Sequence, residues 1–122
     1  MPRKAEQAKR ALTRRATPDP WLLILYRESS GLTQSDLARD IEVKRTQVWR
    51  WENADRPIPE KHIQPIATAL TLALGEDIEV RDLCSRGRER RENDSLRKQW
   101  IEAGRPDLQE WLGLDDQPEG EQ

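Results

Sequence analysis

The sequence predicts an all-α fold: a small five-helix domain with a basic arm before it and a helical extension after it. Three observations carry that prediction. Several segments repeat apolar residues at 3.6-residue spacing. Thr33 stands three residues before Asp36, the capping-box arrangement that satisfies free amides where a helix begins. Finally, 34% of the 122 residues are apolar and 36% charged, against about 45–50% (glycine counted) and 25% in ordinary globular domains. So polar a chain fits one domain of about 60 residues with two extensions, a core small enough that oligomerisation would help it.

The first helix is expected over Trp21 to Ser30, where Leu22, Leu23, Leu25 and Tyr26 fall at helical spacing. Asp19 is its cap, and Pro20 suits its first turn. The second starts at Thr33 and buries Leu37, Ala38 and Ile41 on one side. The pattern breaks at Glu42 and resumes at Val43. In the third helix Val48 and Trp51 share one face, while Arg45, Thr46, Trp49 and Arg50 cluster on the other. Ile63, Ile66, Ala67, Leu70 and Leu74 give a fourth helix, ended by Gly75. Because proline inside a helix loses a hydrogen bond and clashes with the preceding turn, Pro65 places the start of that helix near Gln64. Pro57 and Pro59 stiffen the loop before it, with Lys61 and His62 close by. Asp77 is expected to cap a fifth helix carrying Ile78, Val80 and Leu83.

The outward face of the third helix carries a particular chemistry. Arginine reads guanine O6 and N7 bidentately, glutamine reads adenine N6 and N7, and threonine contacts a thymine methyl or a base edge. Lys44, Arg45, Thr46, Gln47 and Arg50 supply that vocabulary. The run GLTQSDLARDIEVKRTQVWRWEN from Gly31 to Asn53 resembles the helix-turn-helix domains of the lambda-repressor/Cro family (the XRE-like group), with their pattern GLTQ-x-x-LA-x-x-hGV-S-x-x-x-h-x-x-WE, where h is apolar. Gly31, Leu32, Thr33, Gln34, Leu37, Ala38, Ile41, Val43, Val48, Trp51 and Glu52 stand where the pattern expects them. The resemblance spans about Trp21 to Leu74, roughly half the chain.

The resemblance implies roles one position at a time. Arg45, Thr46, Gln47 and Arg50 would read bases in the major groove. Gln34 would hold a DNA phosphate with nearby backbone amides, and Thr33, Lys44, Trp49 and Lys61 are assigned to the DNA backbone with it. Arg27 would pair with Glu52 as a structural tie between helices. Two positions depart from the pattern. Glu42 replaces a turn glycine, so a left-handed backbone there would be strained. Trp49 lies in the middle of the outward face, where it must be covered by protein or meet DNA.

The charge distribution is uneven, although the whole chain carries −2. Residues 1–15 hold Arg3, Lys4, Lys9, Arg10, Arg14 and Arg15 against Glu6 alone. Such an arm can follow DNA phosphates or enter a minor groove, a contribution that salt removes; a solubilising tail is the bland alternative. Residues 76–122 reverse the sign, with 8 basic and 14 acidic side chains. Within them the run from Ser85 to Ser95, which contains Arg86, Arg88, Arg90 and Arg91, reads as a solvated helix or linker. Leu96, Trp100 and Ile101, then Leu108, Trp111 and Leu112, form an apolar surface expected to self-associate or to hold another protein.

The chain therefore divides into a basic arm (1–18), the helix-turn-helix domain (19–84), a charged helical extension (85–114) and an acidic disordered tail (115–122). The expected function is sequence-specific regulation of transcription, as a repressor dimer on paired half-sites of double-stranded DNA. The alternative is an antitoxin-like autoregulator whose C-terminal tryptophan segment holds a partner protein. An enzyme is not expected, since no glycine-rich phosphate loop, metal-ligand spacing or Cys/His or Ser/His constellation stands out. The lone His62 and Cys84 leave no metal site, no cofactor and no internal disulfide to expect. Cys84 itself reads as a small buried residue. No apolar run is long enough to span a membrane, and a cytoplasmic location follows as the expectation.

Overall fold

A computed structural model describes residues 16–113. In chain order they form β1 (Thr17–Pro18), α1 (Pro20–Ser30), α2 (Gln34–Asp40), α3 (Arg45–Glu52), α4 (Glu60–Leu74), a 3-10 turn (Val80–Leu83), β2 (Cys84–Ser85), α5 (Gly87–Glu102) and α6 (Leu108–Leu112). The fold is all-α apart from the β1–β2 bridge, which is antiparallel with Thr17 opposite Ser85 and Pro18 opposite Cys84. Thr17 and Pro18, expected in the arm, thus lie in this bridge. The arginines and lysines at 3, 4, 9, 10, 14 and 15, and the acidic tail, fall outside the described residues.

Helix α1 holds the fold together because it is apolar on opposite sides. A helix of that kind must be covered on both. Leu23 packs with Leu37, Val48, Trp51, Ile66 and Leu70 in the main core between α1, α2, α3 and α4. Trp21 and Ile24 face the other way and pack with Trp100 and Leu108 in a second core. The Trp21 ring meets Trp100 edge-on at 5.9 Å and Trp111 at 6.0 Å, a geometry that aromatic quadrupoles favour.

Asp19 fastens this arrangement. It is wholly buried, and its carboxylate accepts from the Trp21 amide at 2.8 Å, from Asn93 Nδ2 of α5 at 2.8 Å and from Ser85 Oγ of β2. Its own amide donates to the Leu83 carbonyl. One side chain thus caps α1 and ties it to the C-terminal extension.

Much of the apolar set expected to self-associate packs within the chain instead. Trp100 is 2% and Leu108 6% exposed. Leu96, Ile101 and Trp111 pack partly against the same cluster, and Leu112 alone of the six remains substantially exposed. Among the described residues, most apolar side chains of the extension pack toward Trp21 and Ile24. The run from Ser85 to Ser95 is likewise mostly helix α5, with Arg97 buried farther along it.

Two helix boundaries also differ from expectation. Helix α4 begins at Glu60, five residues before Pro65, and runs through it. Pro65 lies on the exposed face, where water can satisfy the carbonyl that proline's missing N–H leaves free. The fifth helix reduces to the 3-10 turn. Thr71 Oγ1 accepts from the Ile78 amide at 2.8 Å and donates to the Ile78 carbonyl at 3.2 Å, which fixes that residue in a non-helical link after α4. Glu79, rather than Asp77, then caps the turn, its amide donating to Asp82 at 2.8 Å.

Glu42 adopts the left-handed conformation with φ 61°, and its side chain is exposed. For a residue with a Cβ this costs about 1–2 kcal/mol. Glu42→Gly removes the strain but adds chain entropy on the order of 0.5–1 kcal/mol. A net gain of about 0.5–1 kcal/mol is expected, read as a higher urea midpoint. A lower midpoint would mean that the glutamate side chain contributes to the turn.

Candidate nucleic-acid interface

Helices α2 and α3 are set by local chemistry. The Thr33 hydroxyl accepts from the Asp36 amide and the Asp36 carboxylate accepts from the Thr33 amide, both at 3.0 Å. Those bonds, the Thr33 amide foremost, hold the exposed Asp36 carboxyl below its ordinary pKa. After Ile41 the chain turns, and the Val43 amide donates back to Ala38 at 2.9 Å. At the start of α3 the Gln47 side chain accepts from the Lys44 amide at 3.3 Å.

The burial of α3 is one-sided. Val48, Trp51 and Glu52 are buried, while Arg45, Thr46, Gln47, Trp49 and Arg50 face solvent. Trp49 is 42% exposed, so the protein covers only part of its ring. Arg50 lies 3.9 Å from Asp55 with both side chains about half exposed, a weak tie that another anion can displace.

Behind this face lies a buried polar network. Arg27 donates through Nε and NH2 to both oxygens of Glu52, through NH1 to the Leu32 carbonyl at 2.8 Å and through NH2 to Glu28 at 3.0 Å. Burial lowers the guanidinium pKa, but the two carboxylates outweigh it, and the net shift is upward. Arg27 therefore stays charged wherever the protein is folded. Gln34 extends the network outward: its Nε2 donates to Glu52 at 2.9 Å, and its Oε1 accepts from Arg45 NH1 at 3.1 Å.

Arg45, Thr46, Gln47 and Arg50 are thus brought together on one exposed helix, with Thr33, Gln34 and Lys44 beside its start. Lys61 is exposed in the first turn of α4, apart from that cluster in sequence and element. The family model of a helix-turn-helix domain matches residues 21–83. The chain belongs to the helix-turn-helix domain family. No curated protein and no solved structure matches it.

The His62 ring, partly buried on α4, lies 5.3 Å from that of Trp51. Cys84 is partly buried beside β1, and burial, the largest influence, pushes its thiol pKa up; it is a weakly reactive thiol at neutral pH. Among the described residues no cluster of three or more His, Cys, Asp or Glu side chains could hold a metal, and no helix is long and apolar enough to cross a membrane.

Arg105 carries no functional signal in the sequence. It lies beyond the matched domain, between α5 and α6, yet it lines the same concavity as Arg45, Thr33, Gln34 and Ser35, a space of about 490 Å³. No local spacing signals that placement.

Proposed function

We propose that this helix-turn-helix domain is a sequence-specific DNA-binding regulator of the lambda-repressor type, acting as a repressor that occupies a promoter and excludes polymerase. The observation that carries this reading is the one-sided burial of α3. Four side chains with base-reading chemistry stand exposed on a helix whose opposite side is locked into the core. Arg45, Thr46, Gln47 and Arg50 read base edges in the major groove. Thr33, Gln34, Lys44, Trp49 and Lys61 position the duplex through its backbone. Gln34 is well placed for this, because its contacts with Glu52 and Arg45 hold its amide at the edge of the reading face.

Helix α3 has eight residues, too short to read a long site. Two copies on half-sites about 34–36 Å apart would supply the missing specificity. Their contact must lie elsewhere than on Trp100 and Leu108, which are buried within each chain. The same burial speaks against the tryptophan segment as the seat of a partner protein.

Selection of bound sequences from random duplex DNA tests the reading, with enrichment of a paired motif expected. Arg45→Ala and Arg50→Ala should each cost about 1–3 kcal/mol in binding and relax preference at individual base positions. Gln34→Ala should weaken binding to all sequences evenly. No enrichment at low salt, or equal and sequence-independent losses from all three variants, would overturn it.

A further inference from the structure

The concavity beside the reading face is lined from two directions: by Thr33, Gln34, Ser35 and Arg45 of the helix-turn-helix domain, and by Trp100 and Arg105 of the C-terminal extension. Arg105 is held in place. Helix α5 ends in a turn in which Gly104 and Arg105 both take positive φ, 91° and 54°. The turn is closed by the Arg105 amide donating to the Trp100 carbonyl at 2.9 Å. The Trp100 indole N–H donates to the Pro106 carbonyl at 2.8 Å, and the Arg105 guanidinium sits over the Trp100 ring, 5.9 Å from its centroid. Its NH2 donates to Asn53 Oδ1, at the end of α3.

Charge balance shows what this arrangement lacks. Arg27, at the floor of the concavity, is neutralised by Glu52 and Glu28. Among the described residues, no carboxylate forms an ion pair with Arg105 or Arg45. Two guanidinium groups without an ion-pair partner, carried by different elements and each already oriented by an amide side chain, therefore line one open space, which Glu28 lines as well. Guanidinium forks match phosphate oxygens in geometry and charge. A side chain held in a strained backbone conformation by packing from below is the arrangement found where position matters more than local stability.

The geometry points to Arg105 as a DNA-backbone ligand outside the helix-turn-helix domain: beside the base-reading Arg45 it takes a phosphodiester group of the duplex, and the C-terminal extension acts as a clamp next to the reading helix. This rests on the proposed DNA binding by α3. The contact is sequence-independent, so it adds affinity and register without altering base preference. It gives the packing of α5 and α6 onto α1 a function, because Trp100 carries Arg105 to the interface.

The test uses the full chain and a random-sequence 20-base-pair duplex, with affinity measured across a salt series. Each phosphate neutralised contributes about 0.9 to the slope of log K against log salt. Arg105→Gln should flatten the slope by about that amount and weaken binding on the order of tenfold at 0.1 M salt. Arg105→Lys should keep most of the slope. Arg105→Gly relieves the left-handed strain while removing the charge, so it should keep or raise the melting temperature yet lose binding as Arg105→Gln does. If the wild type and Arg45→Ala bind this duplex differently but Arg105→Gln and Arg105→Gly match the wild type in slope and affinity, the clamp is wrong and the reading helix stands. If the wild type does not bind duplex DNA at all, the underlying reading fails and the clamp with it. In a parallel arm, inorganic phosphate is compared with chloride at equal ionic strength. Thermal protection of the wild type and not of Arg105→Gln, with DNA binding unchanged, would mean a free-anion site and would overturn the clamp.

Discussion

Glu52→Ala will cost the fold about 3–5 kcal/mol, a large share of the 5–15 kcal/mol that typically separates a native domain from its unfolded chain. The carboxylate is wholly buried and accepts from Arg27 Nε, Arg27 NH2 and Gln34 Nε2. Its loss leaves the Arg27 cation buried, with only Glu28 and one carbonyl to answer it, and frees Gln34 from its anchor. Arg27→Ala should harm the fold comparably by stranding Glu52. The double variant should be less damaged than the sum of the two, because neither charge then remains to be stranded. Thermal melts of the four proteins measure this, and strict additivity would show that the pair does not act as a unit. A secondary loss of DNA affinity is expected in Glu52→Ala even under conditions where it stays folded, since Gln34 and, through it, Arg45 lose their fixed positions.

The second large effect belongs to Trp100. Truncating a buried tryptophan to alanine costs about 3–5 kcal/mol; here it also empties the space against Trp21 and Ile24 and unseats the turn at Gly104. Trp100→Ala should lower the melting temperature sharply and shift tryptophan emission to the red as Trp21 is wetted. Truncation after Gly87 should expose the same side of α1 and yield an aggregating or poorly folded chain rather than a well-behaved monomer. An unchanged melting temperature with altered light scattering would restore Trp100 to the role of a self-association contact.

Helices α2 and α3 were legible in the sequence because their determinants are local: a capping box at Thr33, apolar positions on one face, and a polar set on the other. The strained Glu42 was legible too, as a non-glycine residue in a tight turn. The path of α4 was not, since whether a helix tolerates Pro65 depends on which face meets water, a property of the tertiary packing. The link at Ile78 turned on the Thr71 hydroxyl, seven residues away, a competition that periodicity does not register. The role of Trp100 had a sequence signal that helical spacing of Leu22, Leu23, Leu25 and Tyr26 left unused. Trp21 and Ile24 project from the side of α1 opposite Leu23, and a helix with two apolar sides demands two partners. The extension is the part of the chain with apolar residues left to supply the second.

The buried carboxylate of Asp19 also has a consequence for synthesis. Its partner Asn93 lies 74 residues later in the chain, so at about 5–20 residues per second the second side of α1 waits roughly 4–15 s on the ribosome for its cover. The helix-turn-helix portion, which ends at residue 83, is synthesised ten residues ahead of Asn93. During that interval the nascent chain displays Trp21 and Ile24 to any neighbour, and only the arrival of α5 converts a sticky intermediate into the finished protein.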